Sequence, residues 1–512
     1  MQKKLFSVWA VILFCFVAII LPYYIPKDGY SFIGTNKCIL FFYGMLLLFG
    51  VYILLHIFTL CTRVCCRHET APKKMFRLSL SYFSKTDWFV IGFSLCCVLS
   101  YLFSNHKDIA LFGNDEWYMG LVSQLFFVFI YFGISRHMHF TKWLIFSLCI
   151  VNVPLAFLAI VNRFGFYPIA IKGTHPLYVS TIGNINWFCG YFIIIVSLEL
   201  IIYFYSSNLK YKLLSGFCLF FSLLALICQG SISGYMTLFV LLVLLLKPAL
   251  KTKQAFLTYL EIYLLLFSGC TLTYISKYFI PYAYVENDVI INLVAFSVLP
   301  CICLFLVAVL YIILSMRAEN LNLSFLYKYV VIFLVTLLVG YLLITLINTL
   351  FPSITPFLNE KSFFTFDRFW WSTRGGTYAI GVQAFVSLPW YQKFFGIGPD
   401  CFLTYVYDNL HVVTVAKYFK VQPLANAHNE FLTMLVNTGL FGCITYIGIF
   451  VTSIKNALKL DTIISKIIVF GILGYMINNF FSFQQVVSTP VVFALLGLIE
   501  NFLRKGKKNV TN

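Results

Sequence analysis

Two side chains far apart in this sequence offer the plainest chemistry, Arg374 and His428. Arg374 stands at the head of "RGGTYAIGVQAFVSL", with Thr377 and Tyr378, not carboxylates, three and four residues on. A guanidinium with no local counter-ion suits a diphosphate, because its planar fork bonds two oxygens at once and keeps its charge when partly desolvated. His428 lies in "LANAHNEFLTMLVNTGLFG", where a polar loop turns into an apolar helix. An imidazole titrating near neutrality can take a proton from an attacking hydroxyl, a role typically worth about 10²–10⁴ in rate. A histidine at a helix start also serves as an interfacial or capping residue, so position leaves both roles open. Asn429 is expected to orient sugar or imidazole. Glu430 follows two residues after His428, and on a helix that spacing points away, so it stays outside the expected site.

Other polar residues could join them. Arg368 sits beside Asp367, which explains it as a local ion pair unless it also holds phosphate. "STIGNINWF" puts Asn184 and Asn186 at the entrance of an apolar stretch, where capping the helix uses one asparagine and leaves the other for a hydroxyl-rich ligand. Arg163 begins the loop that ends there. Two acidic pairs, Asp115–Glu116 and Glu286–Asp288, could begin a metal site, but an oxygen-ligand site for Mg²⁺ needs more than a pair, so no metal and no cofactor is expected. The group Cys61, Cys65, Cys66 and His68 lacks standard zinc spacing and reads as free juxtamembrane thiols open to acylation. The sixteen cysteines mostly sit in apolar stretches and form no disulfide framework, and Cys401 stands in an external loop without a partner.

The elements that must position these groups are greasy. Of 512 residues, 61% are hydrophobic and 11% charged, and the mean hydropathy is +0.91. Soluble domains carry roughly 25% charged residues, so water is not the main solvent. The sequence predicts an all-α polytopic membrane protein of about fourteen transmembrane helices with one large structured external loop. The spans fall near 5–24, 38–61, 88–104, 118–134, 143–162, 187–205, 213–229, 232–246, 256–276, 289–315, 329–351, 429–453, 467–483 and 488–503. The pair around "QGSISG" at 229–234 admits a tight turn or a re-entrant hairpin. "PYYIP" stands where a signal-peptide cleavage site would be, so the first stretch reads as a retained helix.

Charge sets the orientation. The net charge is +18, and 24 of the 36 Lys and Arg lie in the termini and the alternate turns that share their side. That is the positive-inside bias, which puts both termini in the cytoplasm and makes the bilayer, not nucleic acid, the partner of the excess charge. The whole chain, 1–512, reads as a single integral-membrane domain. Its outlier is the external loop 352–428, far longer than connections in compact proteins. Within it, 374–388 has an amphipathic helical spacing, with Tyr378, Val382, Phe385 and Val386 on one face, and Pro389 stops it. That helix is expected to lie along the outer membrane surface.

Four blocks in order carry a resemblance. "AHNEFLTMLVNTGLFG" resembles the signature of the O-antigen ligase and polymerase family, an Ala-His-Asn trio opening a span that ends in Gly-Leu-x-Gly. Upstream, Arg374, Tyr378, Pro389, Gly396, Gly398 and Phe402 fill the places of that family's preceding block. "STIGNINWFCGYF" is similar to its Gly-Asn-x-Asn block, and "LFGNDEWYMGL" to the Gly…Trp-x-x-Gly start of an earlier span. The resemblance implies a metal-independent membrane glycosyltransferase on the outer face of the cytoplasmic membrane. Its donor would be an undecaprenyl-diphosphate-linked oligosaccharide and its acceptor a glycan or a lipid. Arg374 would bind the diphosphate and His428 would assist the acceptor hydroxyl. Many members carry Ser-Arg-x-Gly at the head of one span. Here "GSISG" puts Ile232 in the arginine's place, and Arg163 or Arg368 would have to substitute. Polymerases vary more in sequence than ligases, so the departure favours a polysaccharide polymerase narrowly. The rival class is a transporter or flippase of lipid-linked glycan without catalytic activity, for which the intramembrane acids Glu199 and Glu261 speak most.

Overall fold

The structure is a computed structural model, described over residues 2–65, 83–139, 142–175, 177–280, 289–317, 322–358, 363–410 and 424–510. Cys66, His68, Glu286 and Asp288 lie outside the described residues.

The architecture is all-α, with one short antiparallel ladder pairing Tyr178–Val179 with Gly183–Asn184. In chain order the helices are α1 Gln2–Tyr23, α2 Ile33–Cys65, α3 Lys85–Phe103, α4 Lys107–Phe112, α5 Leu121–His137, α6 Lys142–Arg163 and α7 Ile185–Tyr205. There follow α8 Leu209–Gln229, α9 Ile232–Ala249, α10 Lys253–Phe279, α11 Val289–Ala295, α12 Leu299–Met316 and α13 Ser324–Leu350. The last are α14 Trp370–Ser387, α15 Trp390–Phe395, α16 Phe402–Asn409, α17 Glu430–Leu458, α18 Ile463–Asn479 and α19 Thr489–Val510. Among the described residues, 11 helices are long and apolar enough to cross a membrane, and α5 and α18 are shorter apolar helices. Each of the fourteen expected stretches is helical, with 289–315 divided into α11 and α12. Gly230, left-handed at φ +70°, ends α8 and turns the chain tightly into α9, so the "QGSISG" segment is a turn between two full-length helices.

Helix α7 is the axis of the bundle. Every residue from 187 to 201 is buried, as a helix apolar on all sides requires. It packs against α8 and α18, while α5 pairs with α19 and α3 with α17. At the other extreme, α12 and α13 show most of their Leu, Ile and Phe side chains on the outside, the surface a bilayer solvates.

The two ends of the bundle are built differently. At the end that holds both termini, Ser84 and Asp87 form a capping box that starts α3. Buried Asp87 then meets Arg136 at 2.9 Å, Arg504 and the Tyr131 hydroxyl at 2.9 Å, joining α3, α5 and α19. Gln2, Lys3 and Lys505 line one cavity there. At the opposite end, buried Lys37 of α2 donates to the carbonyls of Leu21, Pro22 and Tyr24 at 2.8–3.1 Å, capping the C-terminus of α1. Of the intramembrane acids, Glu261 pairs with Lys212 at 2.5 Å and accepts from Tyr203 at 2.9 Å, while Glu199 is fully buried in α7.

Candidate functional site

The site end is assembled by a backbone crossing that glycine makes possible. Helix α17 breaks at Gly439, which has φ +69°. A Cβ there would lie 2.4 Å from the Phe394 backbone, and one on Gly396 would lie 2.2 Å from the Asn437 carbonyl oxygen. The loop after α15 therefore presses directly on the break. Gly398 N–H donates to the Asn437 carbonyl at 3.1 Å and to Ser100 Oγ at 2.9 Å, and Ser100 Oγ donates to the same carbonyl at 2.5 Å. Asp400, two residues on, accepts from the backbone N–H groups of Asn114 at 2.8 Å and Met119 at 3.1 Å, and the Asn114 amide donates to the Asp400 carbonyl. Three of the four sequence blocks are thus stitched to one another. The Asp400 carboxyl is buried, and that burial pushes its pKa up to about 7 against the pull of those hydrogen bonds.

Helix α14 carries Arg374 to this assembly. It starts at Trp370, four residues before the expected helix 374–388, and ends at Ser387 ahead of Pro389. The early start is anchored: the Trp370 and Trp371 indoles donate to the Tyr341 hydroxyl of α13 at 3.0 and 2.5 Å. Ile380, Ala384 and Leu388 pack inward and Gly381 lies against Leu432 of α17, whereas Val382 and Val386 stay exposed. From this helix the Arg374 guanidinium reaches the Phe481 carbonyl at 3.4 Å, and the Tyr378 hydroxyl donates to the Phe480 carbonyl at 3.0 Å. Burial weakens Arg374's hold on its proton.

His428 stands beside it. Its backbone is left-handed, φ +49°, uncommon for a residue with a side chain. Asn426 Oδ1 accepts its N–H at 3.0 Å, and its ring packs on Phe483 with centroids 5.4 Å apart. Enclosure, and then the neighbouring Arg374 charge, push its pKa down to about 3. The expectation of titration near neutrality is corrected: a desolvated imidazole beside a cation stays neutral across the physiological range. Asn429 is the N-cap of α17, accepting from Leu432 N–H at 3.0 Å. That gives it a structural task where a substrate contact was expected.

Behind Phe483 lies a small cavity of about 30 Å³ lined by Trp117, Gln124, Asp400, Glu430, Asn437 and Gln484, among others. Glu430, set aside on local spacing, is buried in its wall. It accepts from the Tyr475 hydroxyl at 2.9 Å and from Tyr446 and Asn479. Its side chain does turn away from His428, towards α18 and the second half of α17.

The fourth block arrives through α7. Asn184 caps the helix, accepting from Asn186 N–H at 2.8 Å. Asn186, left for a hydroxyl-rich ligand on the sequence, accepts from Ser231 Oγ at 3.2 Å with its side chain and from the Gln485 amide with its backbone carbonyl. Arg163, buried at the end of α6, acts electrostatically on Cys189 and Cys228, which flank the turn before Ile232. Arg368 lies elsewhere: its guanidinium covers the Phe369 ring at 4.4 Å, while Asp367 accepts from Phe369 N–H at 2.8 Å. Asp115 accepts from the Tyr118 hydroxyl at 3.1 Å. Among the described residues no three His, Cys, Asp or Glu gather as a metal site would require, and the described cysteines, Cys401 included, are free thiols.

No family model matches the chain, and no curated protein matches it.

Proposed function

We propose that this protein is an integral-membrane glycosyltransferase that transfers or polymerises undecaprenyl-diphosphate-linked glycan on the outer face of the cytoplasmic membrane, with polymerase preferred to ligase. The observation that carries this reading is convergence: Arg374 and His428 come from separate segments and meet closely enough for the arginine's charge to act on the imidazole. Fourteen spans, counting α5, α18 and α19 with the eleven and α11–α12 as one, would set both termini on the basic, cytoplasmic side. The site end would then face outward, with Val382 and Val386 of α14 turned to the membrane surface.

In the reaction, Arg374 holds the donor diphosphate by its fork. The acceptor hydroxyl attacks the anomeric carbon, its proton passes to His428, and the sugar–phosphate bond breaks. Undecaprenyl diphosphate leaves as an anion beside the guanidinium, which offsets its charge without a bound ion. A diphosphate next to Arg374 would also offset the smaller, Arg374 part of what lowers the His428 pKa, leaving the effect of burial, and so make the imidazole a better base once the donor is bound. Arg163, beside the "GSISG" turn, is the better of the two substitutes for the arginine missing at Ile232.

The test is a reconstituted assay with labelled undecaprenyl-diphosphate oligosaccharide in excess chelator, comparing native protein with Arg374→Ala and His428→Ala. A ladder of longer lipid-linked glycans, absent in both variants, supports the polymerase. Label appearing only on a different added acceptor makes the protein a ligase. No transfer by folded protein with any donor turns the reading to a transporter of lipid-linked glycan, the class that buried Glu199 in the central helix favours.

A further inference from the structure

Beside the first cavity lies a second, of about 100 Å³ and open to one side, walled by Tyr30, Tyr178, Trp117 and Trp187, with Glu116 and Asn184 among its polar lining. Three connections build it: the chain between α1 and α2, the turn after α4, and the two-stranded ladder before α7. The Tyr30 and Tyr178 rings stand 5.4 Å apart at 36°, and Trp117 and Trp187 stand 6.0 Å apart at 57°. The wall is rigid. Tyr30 donates its hydroxyl to the Ser180 carbonyl at 2.6 Å, and Gly34 fits so closely that a Cβ would lie 3.0 Å from the Glu116 carbonyl oxygen and 3.1 Å from the Trp187 ring.

Glu116 is the unusual member. Its backbone is left-handed at φ +71°, and the residue is exposed, so no packing of its side chain offsets the strain. Aromatic faces accept the C–H-rich side of a sugar ring, a carboxylate accepts two of its hydroxyls, and an amide both donates and accepts. The helix starts at α2 and α7 would attract an anion, but the carboxylate opposes one, which leaves a neutral hydroxyl-rich ring as the fitting occupant.

Trp117 is the wall shared by the two cavities. It meets Phe483 edge-on at 4.7 Å, and Phe483 meets His428 at 5.4 Å. Trp117 therefore sits two aromatic contacts from the imidazole, and a ring held against it one contact further. We infer that this cavity is a subsite for one sugar ring of the acceptor glycan, seated against Trp117 and Trp187 with Glu116 reading its hydroxyls; the word acceptor rests on the glycosyl-transfer reading, the ring itself does not.

The test uses full-length protein in nanodiscs and, as probe, the oligosaccharide released by mild acid from the host's lipid-linked pool, which carries no diphosphate. Binding is read by calorimetry or saturation-transfer NMR for native protein, Glu116→Gln, Tyr178→Leu and Arg374→Ala, with inorganic phosphate as a competitor. Native protein and Arg374→Ala should bind alike, while Glu116→Gln and Tyr178→Leu should each weaken binding about tenfold, the effect of losing a charge-assisted hydrogen bond or a stacked ring. In the transfer assay the Glu116→Gln loss should fall on the acceptor KM more than on kcat. Native-like binding by both Glu116→Gln and Tyr178→Leu, no glycan binding by protein that still transfers, or displacement of the glycan by phosphate would each overturn the inference. If binding depends on Glu116 but native protein transfers nothing, the transfer reading fails and the sugar site stands.

Discussion

Charge is handled in opposite ways at the two ends of this bundle. Around Asp87, two arginines and a tyrosine hydroxyl converge on one carboxylate and bind three helices together. Around His428, the Arg374 guanidinium acts electrostatically on the imidazole and reaches one backbone carbonyl, and a buried carboxyl at Asp400 answers to backbone N–H groups. The first arrangement balances a buried carboxylate with two cations and ties three helices together. The second keeps an arginine's field in low-dielectric surroundings, where charge acts most strongly.

The contrast can be broken at four points, from the largest effect to the smallest. Asp87→Asn strips the shared counter-ion from two arginines. It should cost about 3–5 kcal/mol, seen as a lower thermal midpoint in detergent, while transfer per folded molecule holds; an unmoved midpoint would erase the distinction between the ends. Arg374→Lys keeps the charge but loses the fork. Transfer should fall roughly 10²-fold with little change in the midpoint.

The third is a pH effect. Asp400 has a folded pKa of about 7 against an ordinary carboxyl value of 3.8, so between these the native state holds the proton more tightly than the unfolded chain. Its contribution to stability is fully present below 3.8 and is lost as pH rises through about 7. His428, pushed down to about 3, works the other way: its contribution is present above about 6.5 and fades on acidification. The midpoint difference between native protein and Asp400→Asn, followed from pH 4 to 8, isolates the first effect. Native protein should lose ground against the variant as pH rises, because an amide oxygen can still accept from Asn114 and Met119 without titrating. The smallest effect is Asn429→Ala, which removes the cap of α17 and should cost about 1 kcal/mol, read from the same melts; a much larger loss of transfer than of stability would return Asn429 to a substrate role.

How far the sequence reaches depends on how local the signal is. Helices were legible because apolar length is written residue by residue; the division of 289–315 at Ser297–Val298 also had a local mark in Pro300, in the first turn of α12, which the continuous apolar run outweighed. Arg374 and His428 were legible as candidates from type and position. Their enclosure was not, and with it went the His428 pKa, which burial and a residue 54 positions away decide. Glu430 was set aside by correct local geometry: it does turn from His428, but its partners Tyr446, Tyr475 and Asn479 are 16, 45 and 49 residues on. Asp400 read as part of a glycine turn, since its partners lie 286 and 281 residues back. In α14 periodicity marked the outward valines, while the inward face of Ile380, Gly381, Ala384 and Leu388 depends on the close approach of α17, which begins only at Glu430.

The clasp between Ser100 and the broken helix also has a consequence for biosynthesis. Its two halves are separated by 337 residues, so the first half enters the bilayer long before the second leaves the ribosome. Until the last quarter of the chain is inserted, α3 has no Asn437 to close upon and the pocket has no floor. Nascent chains stalled or truncated before that point would be membrane-embedded without this end of the bundle assembled.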